Sequence, residues 1–435
     1  MEKETAKLLI AEYQQKAVDI SFQKRPYLFE DKLNYVLVGL RRAGKSYLMF
    51  QQIRHLLDVG HSKDEILYFN FEDDRIASLA TEDLDRIKVC YEEMFDCKPI
   101  FFLDEIQIVD RWEKFARRLA DQGYRVYVTG SNAKMLSSEI ATTLGGRYII
   151  QNVYPYSFQE YLSSLGIDIT DRNFMYRYRN EIVKAYENYF RFGGLPELIQ
   201  VTDKRAWLSS LYQKIFFGDL ITRYQVRNDF AMRVLIRKLA ESVKQPTSFN
   251  RLANVVSSSG KKISTDTVID YLGYLKETWL IFPVENICAK LAEKEANKKY
   301  YFIDNGILNL FLVDPSTSLL ENQVAIQLRR LYGDDVYFYH HGIEVDFYVP
   351  EVQLAVQVCY SMQDTETRKR EINALLKMSK QIEVKKMIVI AKDDEETISE
   401  QGLLIELIPI WKWLCSQCLP FSSMEECPNE QQPRF

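Results

Sequence analysis

Short apolar runs separated by longer stretches of helical period fill the first third of the chain. The runs lie at residues 35–38, 66–71, 99–103, 125–129 and 148–153, and most of their positions are apolar without alternation. Such runs read as strands, and the four apolar residues at 100–103 fit one buried on both faces. The helical stretches between them give a β-α-β-α order, which predicts a parallel sheet with its ligand at the carboxyl ends of the strands. From 154 to about 224 the pattern is helical. Ser157 and Glu160 have capping-box spacing there, and the two glycines and proline of 191–197 force a turn. Residues 230–282 read as helix, turn, second helix and strand, the outline of a winged helix. A final region opens at 301–306. It continues as a helix from Glu321 to Leu331, three strands, a helix over 364–379 and a strand at 386–390.

The loop after the first run turns a fold prediction into a chemical one. Gly39-Leu40-Arg41-Arg42-Ala43-Gly44-Lys45-Ser46 is a G-x-x-x-x-G-K-S sequence between a predicted strand and a helix that begins near Tyr47. Such a loop wraps its backbone N–H groups around the phosphates of a nucleotide. Gly39 and Gly44 stand where the backbone turns tightly and a side chain would block the phosphate. Lys45 is placed to reach the β- and γ-oxygens, and the Ser46 hydroxyl to ligate Mg²⁺. Arg42, Ala43 and Tyr47 complete the predicted nucleotide-contacting set, and the helix N-terminus favours negative charge.

A second motif supports the first. Residues 99–105 read Pro-Ile-Phe-Phe-Leu-Asp-Glu. Asp104 is expected to hold Mg²⁺ and Glu105 to act as general base on the attacking water. The fourth run ends in Gly130-Ser131-Asn132, so Ser131, Asn132 or Thr129 is the expected γ-phosphate sensor. Arg147, just before the fifth run, reads equally as an arginine finger, reaching its own nucleotide or a neighbour's, and as a surface residue beside a turn. Arg41 and Arg42 share that ambiguity. Arg191 is read first as part of an ordinary interhelical loop.

Composition narrows the class without changing it. The chain has 435 residues, 47% hydrophobic and 27% charged, with a net charge of −5. That is a globular, multidomain balance, and it gives no reason to expect a strongly basic nucleic-acid binder. No apolar run approaches the roughly 18 residues that span a bilayer, and the first residues lack a secretory pattern, so a cytoplasmic location is expected. Seven scattered cysteines read as reduced thiols. Cys415 and Cys418 have metal-ligand spacing, but no second pair completes a site.

The second helix of the winged-helix-like region carries Asp266, Asp270 and Glu277 and few bases. Acidic side chains on a reading face repel phosphates, so a protein-contacting role is favoured over a DNA reader. The order of the last region resembles a restriction-endonuclease-like core. That resemblance places Asp346 at the first metal-binding position, Gln357 at the second acid and Cys359 at the lysine. Cysteine carries no positive charge for a phosphorane, which implies a domain inactive in cleavage.

Leu103-Asp104-Glu105-Ile106-Gln107, Thr129-Gly130-Ser131-Asn132, Gly145-Gly146-Arg147, Tyr154-Pro155-Tyr156-Ser157 and Gly193-Gly194-Leu195-Pro196-Glu197, taken with the P-loop, resemble one family. It is a prokaryotic AAA-type family of P-loop ATPases, related to AAA+ and STAND-like proteins, with a C-terminal restriction-endonuclease-like domain of unknown function. The resemblance implies an α/β fold with four parts. These are an ATPase core at 1–153, a helical lid at 154–229, a winged-helix-like domain at 230–285 and the endonuclease-like domain at 286–435. It implies ATP and Mg²⁺ as ligands. Three functions are carried forward: an ATPase switch acting on an unidentified protein partner, an ATP-dependent DNA-processing protein, and a nucleotide-binding module without turnover. A nucleotide-dependent homo-oligomer is compatible with the first two.

Overall fold

The computed structural model describes residues 1–76, 79–131, 142–260 and 262–416. It divides into two compact units. The first is Met1–Tyr154 with Glu277–Trp279, and the second is Pro155–Lys276 with the chain from Leu280 onward.

The first unit is built on five parallel strands: β1 (Asn34–Val38), β2 (Ile66–Asn70), β3 (Ile100–Asp104), β4 (Arg125–Gly130) and β5 (Tyr148–Asn152). Their order is β2-β3-β4-β1-β5. Val36, Leu37, Phe101, Phe102, Val126 and Val128 are fully buried, as the unalternating runs require. β1 lies between β4 and β5, so the P-loop leaves from the interior of the sheet. Helix α1 (Lys3–Asp19) buries Ala6, Leu9, Ile10, Tyr13 and Ala17 at helical spacing and packs on β2 and on α3 (Thr81–Met94). Helix α2 (Lys45–Asp58) follows the P-loop, and α4 (Trp112–Asp121) precedes β4.

In the second unit, α5 (Phe158–Ser164) starts at the expected capping box: Glu160 N donates to Ser157 Oγ at 3.1 Å, and Ser157 N to Glu160 Oε2 at 2.6 Å. Helix α6 (Arg179–Phe192) ends where Gly193 takes φ +76°. Helix α7 (Lys204–Lys214) runs on into a π-helical stretch, Ile215–Thr222. Then come α8 (Asp229–Glu241), β6 (Thr247–Ser248), α9 (Phe249–Ser258), α10 (Thr265–Glu277), β7 (Ile281–Asn286) and β8 (Asn297–Phe302).

The last part holds α11 (Ser316–Tyr332), β9 (Tyr337–His340), β10 (Glu344–Val349), β11 (Leu354–Val358), α12 (Thr365–Met378), β12 (Lys386–Ala391), β13 (Glu396–Glu400) and β14 (Leu403–Pro409). The nine strands described in the second unit form one mixed sheet, ordered β13-β14-β12-β11-β10-β9-β7-β8-β6. β7 pairs with β9 and runs through residues 285 and 286, so the sheet is continuous across the expected boundary there.

Candidate nucleotide site

At the carboxyl end of β1 the chain turns on Gly39. A Cβ there would stand 2.1 Å from the Val153 carbonyl oxygen, so no other residue fits without moving β5. Gly44, the N-cap of α2, has φ +94°. Arg42 takes φ +68°, a left-handed conformation that non-glycine residues adopt at a cost. The loop is a concave backbone with no side chain at its two tightest points, and the N-terminus of α2 opens onto it.

Lys45 is buried, and its Nζ lies 3.2 Å from the carbonyl oxygens of both Gly39 and Leu40. It stands 3.8 Å from the Glu105 carboxylate. Ser46 hydrogen-bonds Asp104 through its side chain. The chemistry of these groups fits Mg²⁺: one carboxylate and one hydroxyl, both hard oxygen donors, beside a cradle for phosphates that supply the rest. No cluster of three or more Asp, Glu, His or Cys able to hold a metal exists among the described residues.

Asp104 ends β3 and is itself fixed from two sides. Tyr68 OH on β2 donates to Oδ2 at 2.7 Å, and Thr129 Oγ1 on β4 donates to Oδ1. Burial, aided by the neighbouring Glu105 charge, raises the Asp104 pKa. A buried carboxylate of that kind favours a nearby cation.

Glu105 sits at φ +56°, and its N–H donates to Thr129 Oγ1 at 2.9 Å. Its Oε2 accepts from Gln107 Nε2 at 2.5 Å and Ser131 N at 3.3 Å. Burial is the largest influence and pushes its pKa up. Lys45, Gln107, Arg41 and Ser131 together outweigh burial and hold it below the ordinary value. Glu105 is therefore ionised at neutral pH, the form a general base needs.

The structure brings Gly39, Ala43, Gly44, Lys45, Ser46, Asp104, Glu105 and Ser131 together. Arg41 pairs with Glu72 at 2.9 Å, Arg42 is exposed, and Tyr47 is half exposed on α2. Asn132 lies outside the described residues. Arg147 is a correction for its own nucleotide. Tyr148, next to it, pairs with Asn34 at the amino end of β1, and Arg147 itself is salt-bridged to Asp121. At about 3.3 Å per residue, the length of β1 puts it on the order of 13 Å from the loop at the opposite edge. Strand order and direction, which the turn sequence does not carry, decide this.

Sequence reasoning missed two groups, Tyr68 and Arg25, and the role of a third, Thr129. Tyr68 looks like one more core aromatic. Thr129 was the third alternative for a phosphate sensor after Ser131 and Asn132, and its hydroxyl serves Asp104 and Glu105. Arg25 is buried and donates from Nη1 to Ala43 O and from Nη2 to Tyr154 O, each at 2.9 Å. The only sequence signal for Arg25 is a basic residue ahead of the P-loop strand.

In the second unit, Asp346 on β10 and Gln357 on β11 do meet. Asp346 N donates to Gln357 Oε1 at 2.7 Å, and Val358 N to Asp346 Oδ2 at 2.9 Å. Cys359 is buried just past β11, and its thiol donates to Ser361 O. A lysine is nonetheless present. Fully buried Lys299, on β8, lies 2.9 Å from Glu344, 3.4 Å from Glu321 on α11 and 3.5 Å from Asp346. Asp346 and Gln357 line a cavity of about 620 Å³ with Glu371, Arg370, Lys244 and Lys377.

Residues 31–162 match the AAA domain family, and residues 183–318 match a domain of unknown function, DUF8612. An uncharacterized protein of Methanocaldococcus jannaschii, MJ1544, is 34% identical over 394 residues, 87% of each chain. An uncharacterized protein of Haemophilus influenzae is 29% identical over 391 residues, 87% of this chain and 93% of its own. The Walker-type ATPase PABY2304 of Pyrococcus abyssi is similar at TM-score 0.39 and 14% identity, over 70% of this chain and 95% of that one. The assignment rests on the sequence matches and on the strand–loop–helix that carries Lys45 and Ser46. By these, the chain carries an AAA domain of the P-loop ATPase type and belongs to one family with the archaeal protein.

Proposed function

We propose that the protein hydrolyses Mg·ATP and uses the nucleotide as a switch on a macromolecular partner, a protein in preference to DNA. The supporting observation is the convergence of Lys45, Ser46, Asp104 and Glu105 at one end of the parallel sheet. Mg²⁺ held by Ser46 and Asp104 would neutralise charge on the β- and γ-phosphates. Lys45 would leave its two carbonyl partners for the phosphate oxygens. Glu105 would orient a water and take its proton as the new O–P bond forms and the bond to the leaving ADP oxygen breaks. Residues 155 onward, read as lid, winged helix and C-terminal domain, would respond to the γ-phosphate.

Glu105→Gln tests the reading. It keeps the shape and loses the base, so ATP affinity should stay and turnover should fall about 100-fold or more. Parent-rate turnover in that variant would remove Glu105 from the mechanism. A specific activity that rises with protein concentration would point to assembly, with Arg147 then acting on a neighbour's nucleotide.

DNA processing is the second reading, and one observation favours it. The amine absent at 359 has a counterpart in Lys299, beside Asp346 and a cavity rimmed by Arg370, Lys244 and Lys377. Labelled single- and double-stranded DNA, incubated with the full chain and Mg²⁺ or Mn²⁺, decides it. Cleavage abolished by Asp346→Asn would support the reading, and intact DNA under every condition would end it.

A further inference from the structure

The P-loop is tied at two points to the place where the chain leaves the first unit. Gly39 lies against the Val153 backbone, and Val153 N donates to Val38 O at 2.7 Å. Arg25 makes the second tie, holding Ala43 O and Tyr154 O on the two arms of one guanidinium. Its own backbone is clamped by Gln51, which accepts from Arg25 N at 2.8 Å and donates to Arg25 O at 2.9 Å.

Beyond Tyr154 the path continues. The Tyr154 ring meets Trp279 edge-on, with centroids 6.2 Å apart and planes at 88°. Trp279 takes φ +58°, rare for so bulky a residue. Its indole Nε1 is buried without a hydrogen-bond partner, although a buried tryptophan normally finds one. Backbone strain and an orphan donor at one residue mark a position that its surroundings over-determine, and such residues gather at switches. Both ends of this path are junctions. The chain passes into the second unit after Tyr154, and Glu277–Trp279 returns from the second unit to the first.

The Ala43 carbonyl and the Gly44 N–H belong to one planar peptide unit, so neither can turn without the other. A phosphate that draws the Gly44 N–H toward it therefore rotates the oxygen that Arg25 holds. We infer that Arg25 is a positioning residue that couples nucleotide occupancy of the P-loop to both chain junctions, through Tyr154 and Trp279. The inference rests on the proposed nucleotide binding and adds to it a route out of the site. A lysine at 25 keeps the charge but lacks the planar fork that spans two carbonyls.

The test is amide hydrogen exchange over residues 153–157 and 277–281 in the full chain, with and without saturating Mg²⁺ and a non-hydrolysable ATP analogue. Affinity is measured on the same samples. In the parent, exchange at both segments should slow by about fivefold or more. Arg25→Lys should bind more weakly and, once saturated, show no slowing at either segment. Trp279→Gly, where glycine accepts the positive φ, should bind within about threefold of the parent and lose the response at 277–281 alone. If Arg25→Lys does not fold, Trp279→Gly carries the test. A parent-sized response at either segment in saturated Arg25→Lys, or at 277–281 in saturated Trp279→Gly, overturns the coupling. So does a parent that binds the analogue with unchanged exchange, which leaves the ATPase reading standing. A parent that binds no analogue removes both.

Discussion

One hydroxyl organises the acidic half of the site. Thr129 donates to Asp104 and accepts from the Glu105 backbone, which fixes the two carboxylate-bearing residues against each other. Valine has nearly the same shape and neither bond. Thr129→Val should therefore cost about 1–3 kcal/mol in unfolding free energy, because it leaves buried partners unpaired. Turnover should also fall as Glu105 loses its anchor. Urea unfolding and steady-state turnover check the two halves, and parent values in both would show that Thr129 is passive. The sequence carried the identities of Lys45, Ser46, Asp104 and Glu105 because motif spacing encodes them. It did not carry Tyr68, Arg25 or the role of Thr129, since each acts on a segment that only the fold makes adjacent.

At the scale of elements, the P-loop's shape depends on β5 as much as on its own glycines. Gly39→Ala would push a methyl group into the carbonyl of Val153, whose N–H is already bonded to Val38 O of β1. The expected result is destabilisation of about 1–3 kcal/mol, as for other overpacked sites, with weakened nucleotide binding. Chemical denaturation and an ATP-analogue titration measure it, and a fully stable, fully binding variant would show that β5 yields freely. Unalternating apolar runs made the five strands legible. Their lateral order was not, because register and neighbour choice leave no periodic trace. For that reason the sequence left Arg147 open between an arginine finger and a surface residue beside a turn, and it stands at the opposite end of β1 from the P-loop. Lys299 was hidden differently. Its strand reads Asn-Lys-Lys-Tyr-Tyr-Phe, with no alternation to mark Lys299 as inward-facing, and what meets its buried side chain comes from β10 and α11.

For the whole molecule, buried Asp304 sets a pH dependence. Its carboxylate accepts from Gly194 N at 2.9 Å and Gly306 N at 2.8 Å, holding the Gly193–Gly194 turn to the residues after β8. Burial is the largest influence on it and pushes its pKa up to about 6 despite those bonds. A carboxyl raised in the folded state binds more protons folded than unfolded between about pH 4 and 6, so its contribution to stability is lost as pH rises through that window. Relative to Asp304→Asn, the parent should lose up to about 3 kcal/mol across it. Thermal midpoints of both proteins from pH 4 to 7 provide the comparison, and parallel curves would mean that Asp304 does not titrate there.

The order of the first sheet also bears on how the protein is made. The phosphate loop is encoded near the start of the chain, but β1 becomes an interior strand only when β4 and β5 flank it. Gly39 and Arg25 find their partners in Val153 and Tyr154 later still. A ribosome-bound chain therefore carries the whole nucleotide motif long before it carries a nucleotide site. Binding competence should switch on abruptly during synthesis, when residues 148–154 clear the exit tunnel.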